Sequence, residues 1–599
     1  MTSATRTPLR PLARILDARQ SGENPDWIER ENIRKRHDVM REKSRAMAES
    51  RLLVLGILFI AGFALIGARM TLLAVSDPVE PRTTATITRI VAQRADIVDR
   101  QGRVLATNFD THSLYAHPQD LVDPAGAVVA LTEIFPDLDE ERLAKDLTGE
   151  RKFLWIKRKI SPEQKQAVHD IGEPGLLFGP REMRLYPNGA IAAHVLGGAS
   201  FGKEGVSNAE VIGTAGVEKH FDEYLRDPSN EGAPLQLSLD LSVQAAAERV
   251  LDGGMKLMNA KGAASVLMDV HTGEVISLVS LPDFDPNDRP RPLTNGDQGD
   301  SPLFNRALQG VYELGSAFKI FTAAQAMELG LVSEDSLVDT NGPLRWGRFR
   351  IGEFRNKNYG PTLTVSEVIE KSSNVGTARL AQQIGNTRQK AFMEELGFLE
   401  ATPLEMVEAA GAKPLYPSNW SELSTMTISY GHGISTSPMH LAAAYASLLN
   451  GGRKVEPTLL KQGRAQLGEQ IVSPEVSAAA RTMLRRVVTE GTASFGDVAG
   501  YAVGGKTGTA DKPRPNGGYY DDRTITTFAS VFPAHDPKYV LVVTLDEAVE
   551  TSGTEPRRSA GWTAVPVAAE LIRRVGPLLG LRPEIEPGAL QGITLTSSE

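Results

Sequence analysis

Ser316 and Lys319 stand three apart in the run Glu-Leu-Gly-Ser-Ala-Phe-Lys, with Ser372-Ser373-Asn374 downstream and Lys506-Thr507-Gly508-Thr509 later still. Acyl transfer needs a nucleophile, a proton acceptor beside it, and donors that hold the substrate and its developing oxyanion. These three short runs contain residue types for each task. Residues three apart on a helix share a face, and the N-terminal end of a helix favours negative charge, so Lys319 is expected to reach the Ser316 hydroxyl. A lysine works as a base only when its pKa falls from about 10.4 toward neutrality, which burial and a neighbouring cation achieve. Lys506 is the candidate cation. None of the ten histidines lies in a Gly-x-Ser-x-Gly arrangement, so a Ser-His-Asp reading finds no support.

Two further matches show how little spacing is worth alone. Ser200-Phe201-Gly202-Lys203 repeats the Ser-x-x-Lys pattern, but Gly197, Gly198 and Gly202 predict a turn with no helix to present the pair. Residues 500–507 satisfy the phosphate-loop pattern G-x-x-x-x-G-K-[ST]. That loop requires its Lys-Thr to open a helix whose amides cradle phosphates, whereas Gly508, Pro513 and Pro515 predict the opposite.

The elements that must position these residues follow from periodicity. A helix is predicted over 316–329, with Ile320, Phe321, Ala324 and Met327 on one face and Gly330 as its stop. Thr364-Val365-Ser366-Glu367 is a capping box opening another helix just before Ser372. Ser473-Pro474-Glu475 starts one running to residue 490. Residues 264–269 and 275–280 form a hairpin pattern, 524–531 and 539–545 are β-like, and 562–579 closes as a helix. Together these predict an α/β (α+β) domain over 234–580, a sheet with helices on both faces. The tail 581–599 is expected to be extended. Residues 76–233 read as an irregular α+β module in which 94–103 make a salt-bridged strand and hairpin, Arg184-Leu185-Tyr186-Pro187 and His194-Val195-Leu196-Gly197 serve packing and turns, and the proline- and glycine-bearing stretch 227–234 marks a boundary.

A chain of 599 residues with 41% hydrophobic content builds several cores. Its 65 basic and 74 acidic residues give a net charge of -9, which argues against nucleic acid as the main partner. The absence of cysteine excludes disulfides, thiolate metal sites and thiol nucleophiles. Residues 52–68 are uncharged and largely apolar, and the run continues past Arg69 to residue 75. At about 1.5 Å per residue this crosses a bilayer core of roughly 30 Å. The segment preceding it is too long for the charged region of a signal peptide. That segment carries Arg34, Lys35, Arg36, Arg41, Lys43, Arg45 and Arg51, so the positive-inside rule keeps 1–51 in the cytoplasm, with 52–75 as the anchor and the remainder outside.

The trio, in this order and at these separations, resembles the active site of penicillin-binding proteins, whose motifs are S-x-x-K, S-D-N and K-T-G. Residues 94–102 resemble the element that opens the periplasmic part of class B members, and Arg184 to Pro187, Ala193 to Gly197, Gly216-Val217-Glu218 and Asn305-Arg306-Ala307 also match family patterns. The resemblance covers roughly 52–580. Ala95, Leu314 and Ala317 stand where glycine, proline and threonine are usual, and none of them removes a reacting group. The Ser-Ser-Asn form of the second motif is similar to that of division-specific members, where elongation-type members tend to carry aspartate at the third place.

What the resemblance implies is a transpeptidase fold, an antiparallel sheet flanked by helices, preceded by a pedestal of the dimerisation type and one transmembrane helix in the bacterial inner membrane. It implies a peptidoglycan D,D-transpeptidase in which Ser316 attacks the penultimate D-Ala of a stem peptide, Lys319 takes its proton, Ser372 and Asn374 organise lysine and substrate amide, and Lys506, Thr507, Gly508 and Thr509 hold the terminal carboxylate. The Ser316 and Thr509 amides would make the oxyanion hole. No metal or cofactor is implied; β-lactams are expected as inhibitors, and a membrane glycosyltransferase with other division proteins as partners. Three alternatives share much of this: an elongation-type transpeptidase, a carboxypeptidase or β-lactamase-like hydrolase, which would need a deacylating glutamate that the sequence does not show, and an inactive scaffold.

Overall fold

The computed structural model describes residues 10–75, 94–204, 209–514 and 517–584. They divide into two compact units: one comprises 10–75 with Ala116–Trp155 and Ile171–Leu177, the other 94–115, Ile156–Asp170 and 178–584. Much of 94–233 lies in the same unit as the sheet. In the first unit, Asp26–Val75 is one continuous 50-residue helix. It carries the basic cluster in its first half and the apolar span Leu52–Thr71, of mean hydropathy 2.3, in its second. This is the one helix among the described residues long and apolar enough to cross a membrane.

The second unit is built on a five-stranded sheet in the order Gly504–Pro513, Tyr519–Phe532, Tyr539–Asp546, Gly262–Asp269, Val275–Leu281. Every neighbouring pair is antiparallel. All seven residues of Val275–Leu281 are buried, as are 540–546. Successive side chains of a strand point to opposite faces, so burial of every position means that both faces are covered. The helices Leu241–Leu257 and Ala564–Leu578 pack on each other and on the sheet, and Pro438–Leu449, all but one of whose residues is buried, packs on its three inner strands. The predicted sheet with flanking helices is the observed one.

Three local expectations are corrected. The nucleophile segment opens as a tight 3-10 turn, Gly315–Phe318, and only Lys319–Glu328 is α-helical. The Leu314 cap offers no side-chain acceptor, and the tighter turn lets the Ser316 carbonyl take the Lys319 amide. The decoy pair Ser200 and Lys203 lies on a strand, Gly198–Glu204, paired with Ala209–Ala215, not in a turn, because cross-strand bonds satisfy its glycine-rich backbone. The closing helix is two residues shorter at its start and one at its end than predicted. Residues 76–93 of the expected pedestal and 585–599 of the expected tail lie outside the described residues.

The charged stretch 94–103 does form a hairpin, Ile97–Val98 against Val104–Ala116. Its ion pairs, though, reach far along the chain. The buried Arg94 guanidinium donates to Glu218 and Asp222 at 2.7 Å each, and Arg184 donates to the other oxygen of Glu218 at 2.6 Å. Arg103 donates to Asp99 at 2.7 Å and to Asp240, the cap of helix Leu241–Leu257, at 2.9 Å. Breaking a buried pair by removing one partner costs about 3–5 kcal/mol because the other charge is left uncompensated.

Candidate active site

Ser316 sits half-exposed at a cavity of about 320 Å³. The turn that presents it needs Gly315 at φ +57°, where a Cβ would also lie 2.9 Å from the Thr509 carbonyl. Opposite, a Cβ on Gly508 would lie 2.1 Å from the Leu314 carbonyl. The nucleophile turn and the edge strand Gly504–Pro513 thus touch backbone to backbone, which puts Ser316 beside Thr509. Behind the turn, the buried Tyr445 hydroxyl donates to the Ala317 carbonyl at 2.8 Å, within an aromatic cluster of Phe318, Phe321 and Phe398.

Lys319 and Lys506 are both fully buried. They meet at Ser372: Lys319 Nζ donates to its carbonyl at 2.5 Å and its hydroxyl at 3.1 Å, and Lys506 Nζ donates to the same hydroxyl at 2.9 Å. Ser316 Oγ has no hydrogen bond among the described residues, and Lys319 is tied to Ser372. Burial holds Lys319 well below the usual lysine range, the Lys506 charge pushes it further down, and Glu353 opposes them. Burial lowers Lys506 to about 7. Two buried ammonium groups sharing one hydroxyl cannot both stay charged cheaply, and burial drives both lysines toward the neutral form.

Ser372 holds this place at φ +62°, a left-handed conformation that costs a non-glycine residue on the order of 1–3 kcal/mol. Its two lone pairs receive the lysines, which leaves its own O–H to donate elsewhere. Ser373 caps helix Asn374–Ile384 by accepting the Gly376 amide at 2.9 Å. Glu353, which the sequence did not single out, clamps the same turn: it accepts the Ser373 hydroxyl at 2.5 Å and the Asn374 amide at 2.7 Å. Asn374 Nδ2 donates to the Gly352 carbonyl at 3.1 Å, and Asn374 lines the cavity.

Thr507 and Thr509, two apart on the strand and so on one face, line the cavity, while Lys506 between Gly505 and Thr507 turns the other way into the lysine pair. Thr507 exchanges a 2.8 Å hydrogen bond with Thr492, and Thr509 Oγ1 accepts the Ala560 amide at 3.0 Å. Because Lys506-Thr507 lies in a strand, the helix that a phosphate loop requires is not there. A second unforeseen group closes another wall. Glu313 accepts the Gly433 amide at 2.7 Å and the Tyr519 hydroxyl at 3.1 Å, and stands 3.2 Å from His432, which with Tyr430 lines the cavity. No spacing links Glu313 or Glu353 to their partners in a recognisable motif; only the tertiary contacts do.

Ser316, Ser372, Asn374, Thr507 and Thr509 line one cavity, and the buried Lys319 and Lys506 reach it through Ser372. Residues 263–572 match the penicillin binding protein transpeptidase domain, and 89–231 match the penicillin-binding protein dimerisation domain. The chain belongs to the penicillin-binding protein transpeptidase family. It is 34% identical over 509 residues to "Probable peptidoglycan D,D-transpeptidase FtsI" of Caulobacter vibrioides, covering 82% of each chain. It is 31% identical to "Probable peptidoglycan D,D-transpeptidase PenA" of Neisseria gonorrhoeae, over 76% of this chain and 80% of that one. To "Peptidoglycan D,D-transpeptidase FtsI" of Escherichia coli K12 it is 27% identical, over 77% and 80%. As a member of a penicillin-binding family with both the transpeptidase and the dimerisation modules, the chain carries the catalytic module on the sheet that holds Lys506.

Proposed function

We propose that this protein is a serine-type peptidoglycan D,D-transpeptidase acting in septal wall synthesis. The observation that carries the reading is the Ser372 hydroxyl held at once by two buried lysines, beside an accessible Ser316, where burial and the second cation lower the Lys319 pKa. Neutral Lys319 takes the Ser316 proton as Oγ bonds to the penultimate D-Ala carbonyl carbon. The oxyanion that forms is held by the Ser316 and Thr509 amides, which the close approach of Gly315 to the Thr509 backbone makes neighbours. As the C–N bond breaks, the proton passes from Lys319 through Ser372 to the departing amine of D-Ala, leaving an acyl ester on Ser316. An amine of a second stem peptide then attacks that ester, gives its proton back along the same path, and releases Ser316. Lys506, Thr507 and Thr509, with Gly508 giving the strand its close approach, hold the terminal carboxylate, while Asn374 holds the substrate amide.

The division role rests on Ser-Ser-Asn and on the likeness to proteins named FtsI. The same reading puts residues 1–51 in the cytoplasm, the helix Leu52–Thr71 in the inner membrane and the catalytic module in the periplasm, with a membrane glycosyltransferase among its partners. The expected boundaries at 75, 233 and 580 belong to this proposal as well.

The test is labelling of membranes by a fluorescent penicillin. Wild type is expected to be labelled and Ser316→Ala not; labelling that persists in the variant overturns the nucleophile. Depletion of the protein is expected to give filaments with unfinished septa, and rounded or widened cells of normal length would instead assign it to elongation.

A further inference from the structure

Beside the cleft, Leu344–Trp346 and Phe349–Ile351 form a short antiparallel hairpin in which Trp346 faces Phe349 across the strands. Its aromatic side chains are not core: Trp346 is 38% exposed, Phe349 48%, and Phe354 just beyond it 49%. Around them stand Arg345, Arg348, Arg350, Arg355 and Lys357, all exposed. None of these five makes an ion pair among the described residues. The single carboxylate of 344–359, Glu353, is turned to Ser373 and Asn374. In a chain of net charge -9, this is a concentrated, uncompensated positive surface. Arg348 and Arg355 lie over the rings of Phe349 and Phe354 at 5.2 and 5.3 Å, an arrangement that keeps the guanidinium forks free to bind carboxylates while the other ring faces stay open.

The patch is continuous with the catalytic cavity, because Phe354, Lys357 and Tyr359 line the space that Ser316 enters. Arg355 and Asn356 are both held at φ +54°, a backbone strain of the kind found at ligand clamps. A cavity of about 320 Å³ takes the end of a stem peptide; the strand that carries the peptide must run on over the adjoining surface. We propose that this arginine-aromatic hairpin is the docking surface for that strand, a glycan polymer whose stem peptides carry free carboxylates and whose sugar faces stack on Trp346, Phe349 and Phe354. The proposal rests on the peptidoglycan reading of the cleft and adds to it a polymer-binding site outside the reacting groups.

The test uses the full-length protein in detergent, in a Ser316→Ala background so that no covalent bond forms, co-sedimented with insoluble peptidoglycan. Arg345→Glu with Arg348→Glu is expected to weaken binding by about ten-fold, the scale of a few exposed charge contacts. Trp346→Ala with Phe349→Ala is expected to weaken it as well. With Ser316 intact, both double variants are expected to keep their acylation rate with soluble penicillin, which never reaches the hairpin. Peptidoglycan whose carboxyls have been amidated is expected to lose affinity for the unmodified hairpin by a similar factor. Equal binding of native and amidated polymer, or unchanged binding by the charge-reversed variant, overturns the proposal. So does a salt-insensitive loss confined to the aromatic variant, which would point to an apolar protein partner instead. If wild type fails to react with penicillin while polymer binding persists and depends on the arginines, the catalytic reading falls and the docking surface stands.

Discussion

At the scale of single residues, the chemistry depends on which of two buried lysines keeps its proton. Removing a neighbouring positive charge makes the protonated form of Lys319 less unfavourable, so its pKa must rise. Lys506→Met is therefore expected to move the acid limb of the acylation pH profile to higher pH, as well as weakening carboxylate binding. Glu353→Gln removes the negative neighbour that supports the charged form, so the same limb is expected to move to lower pH, and Glu353→Asp to restore it in part. Stopped-flow acylation by a chromogenic β-lactam across pH 5–9, roughly the window in which groups so shifted titrate, reads both. An unmoved limb in both variants would mean that Lys319 is not the base. Because Lys506 lies at about 7 in the empty cleft, the affinity for carboxylate-bearing ligands is expected to fall as pH rises through that value, as its ammonium is lost. None of these couplings is written in the local sequence: Lys506 is 187 positions from Lys319, and Glu353 belongs to no motif.

At the scale of elements, the site is three backbone devices pressed together: a 3-10 turn, a left-handed serine and an edge strand. Gly508→Ala places a methyl against the Leu314 carbonyl, forcing strand and turn apart. Acylation is expected to fall by on the order of 100-fold, as when reacting groups move by about an ångström, and the melting temperature to fall as well, because the clash is with backbone. The helix Lys319–Glu328 is held from behind by aromatics packed edge-on. Phe321→Ala, at a position with no exposure, is expected to cost about 3–5 kcal/mol of stability, as large core truncations do, read by denaturant unfolding of the detergent-solubilised chain. The capping box at Thr364 and the hairpin 262–281 were legible because each depends on neighbours in the chain. The 3-10 opening at Gly315 was not, since the backbone it packs on, Thr509, is remote, and the strand at Ser200 was hidden by glycines that read as a turn.

At the scale of the whole molecule, the pedestal residues of the second unit are tied by charge, with Glu218 between Arg94 and Arg184. Glu218→Gln leaves the buried Arg184 guanidinium without its carboxylate and Arg94 with Asp222 alone, and is expected to destabilise the protein by about 3–5 kcal/mol. Earlier proteolytic nicking within 94–230 is expected, with penicillin acylation of the surviving catalytic module largely kept. Simultaneous loss of acylation would show that this cluster also supports the site. The sequence by itself determined the family, and it named the candidate reacting groups and the apolar span 52–75, because those are carried by residue identity, short spacing and hydropathy, which need no partner. Only the tertiary structure decided that Lys319 and Lys506 meet at one hydroxyl, that Glu353 and Glu313 brace the walls, and that five cations without an ion pair among the described residues cluster on the hairpin beside the cavity. Those facts are distances between segments far apart in the chain, and burial, which sets the lysine charges, exists only once the chain has closed around them.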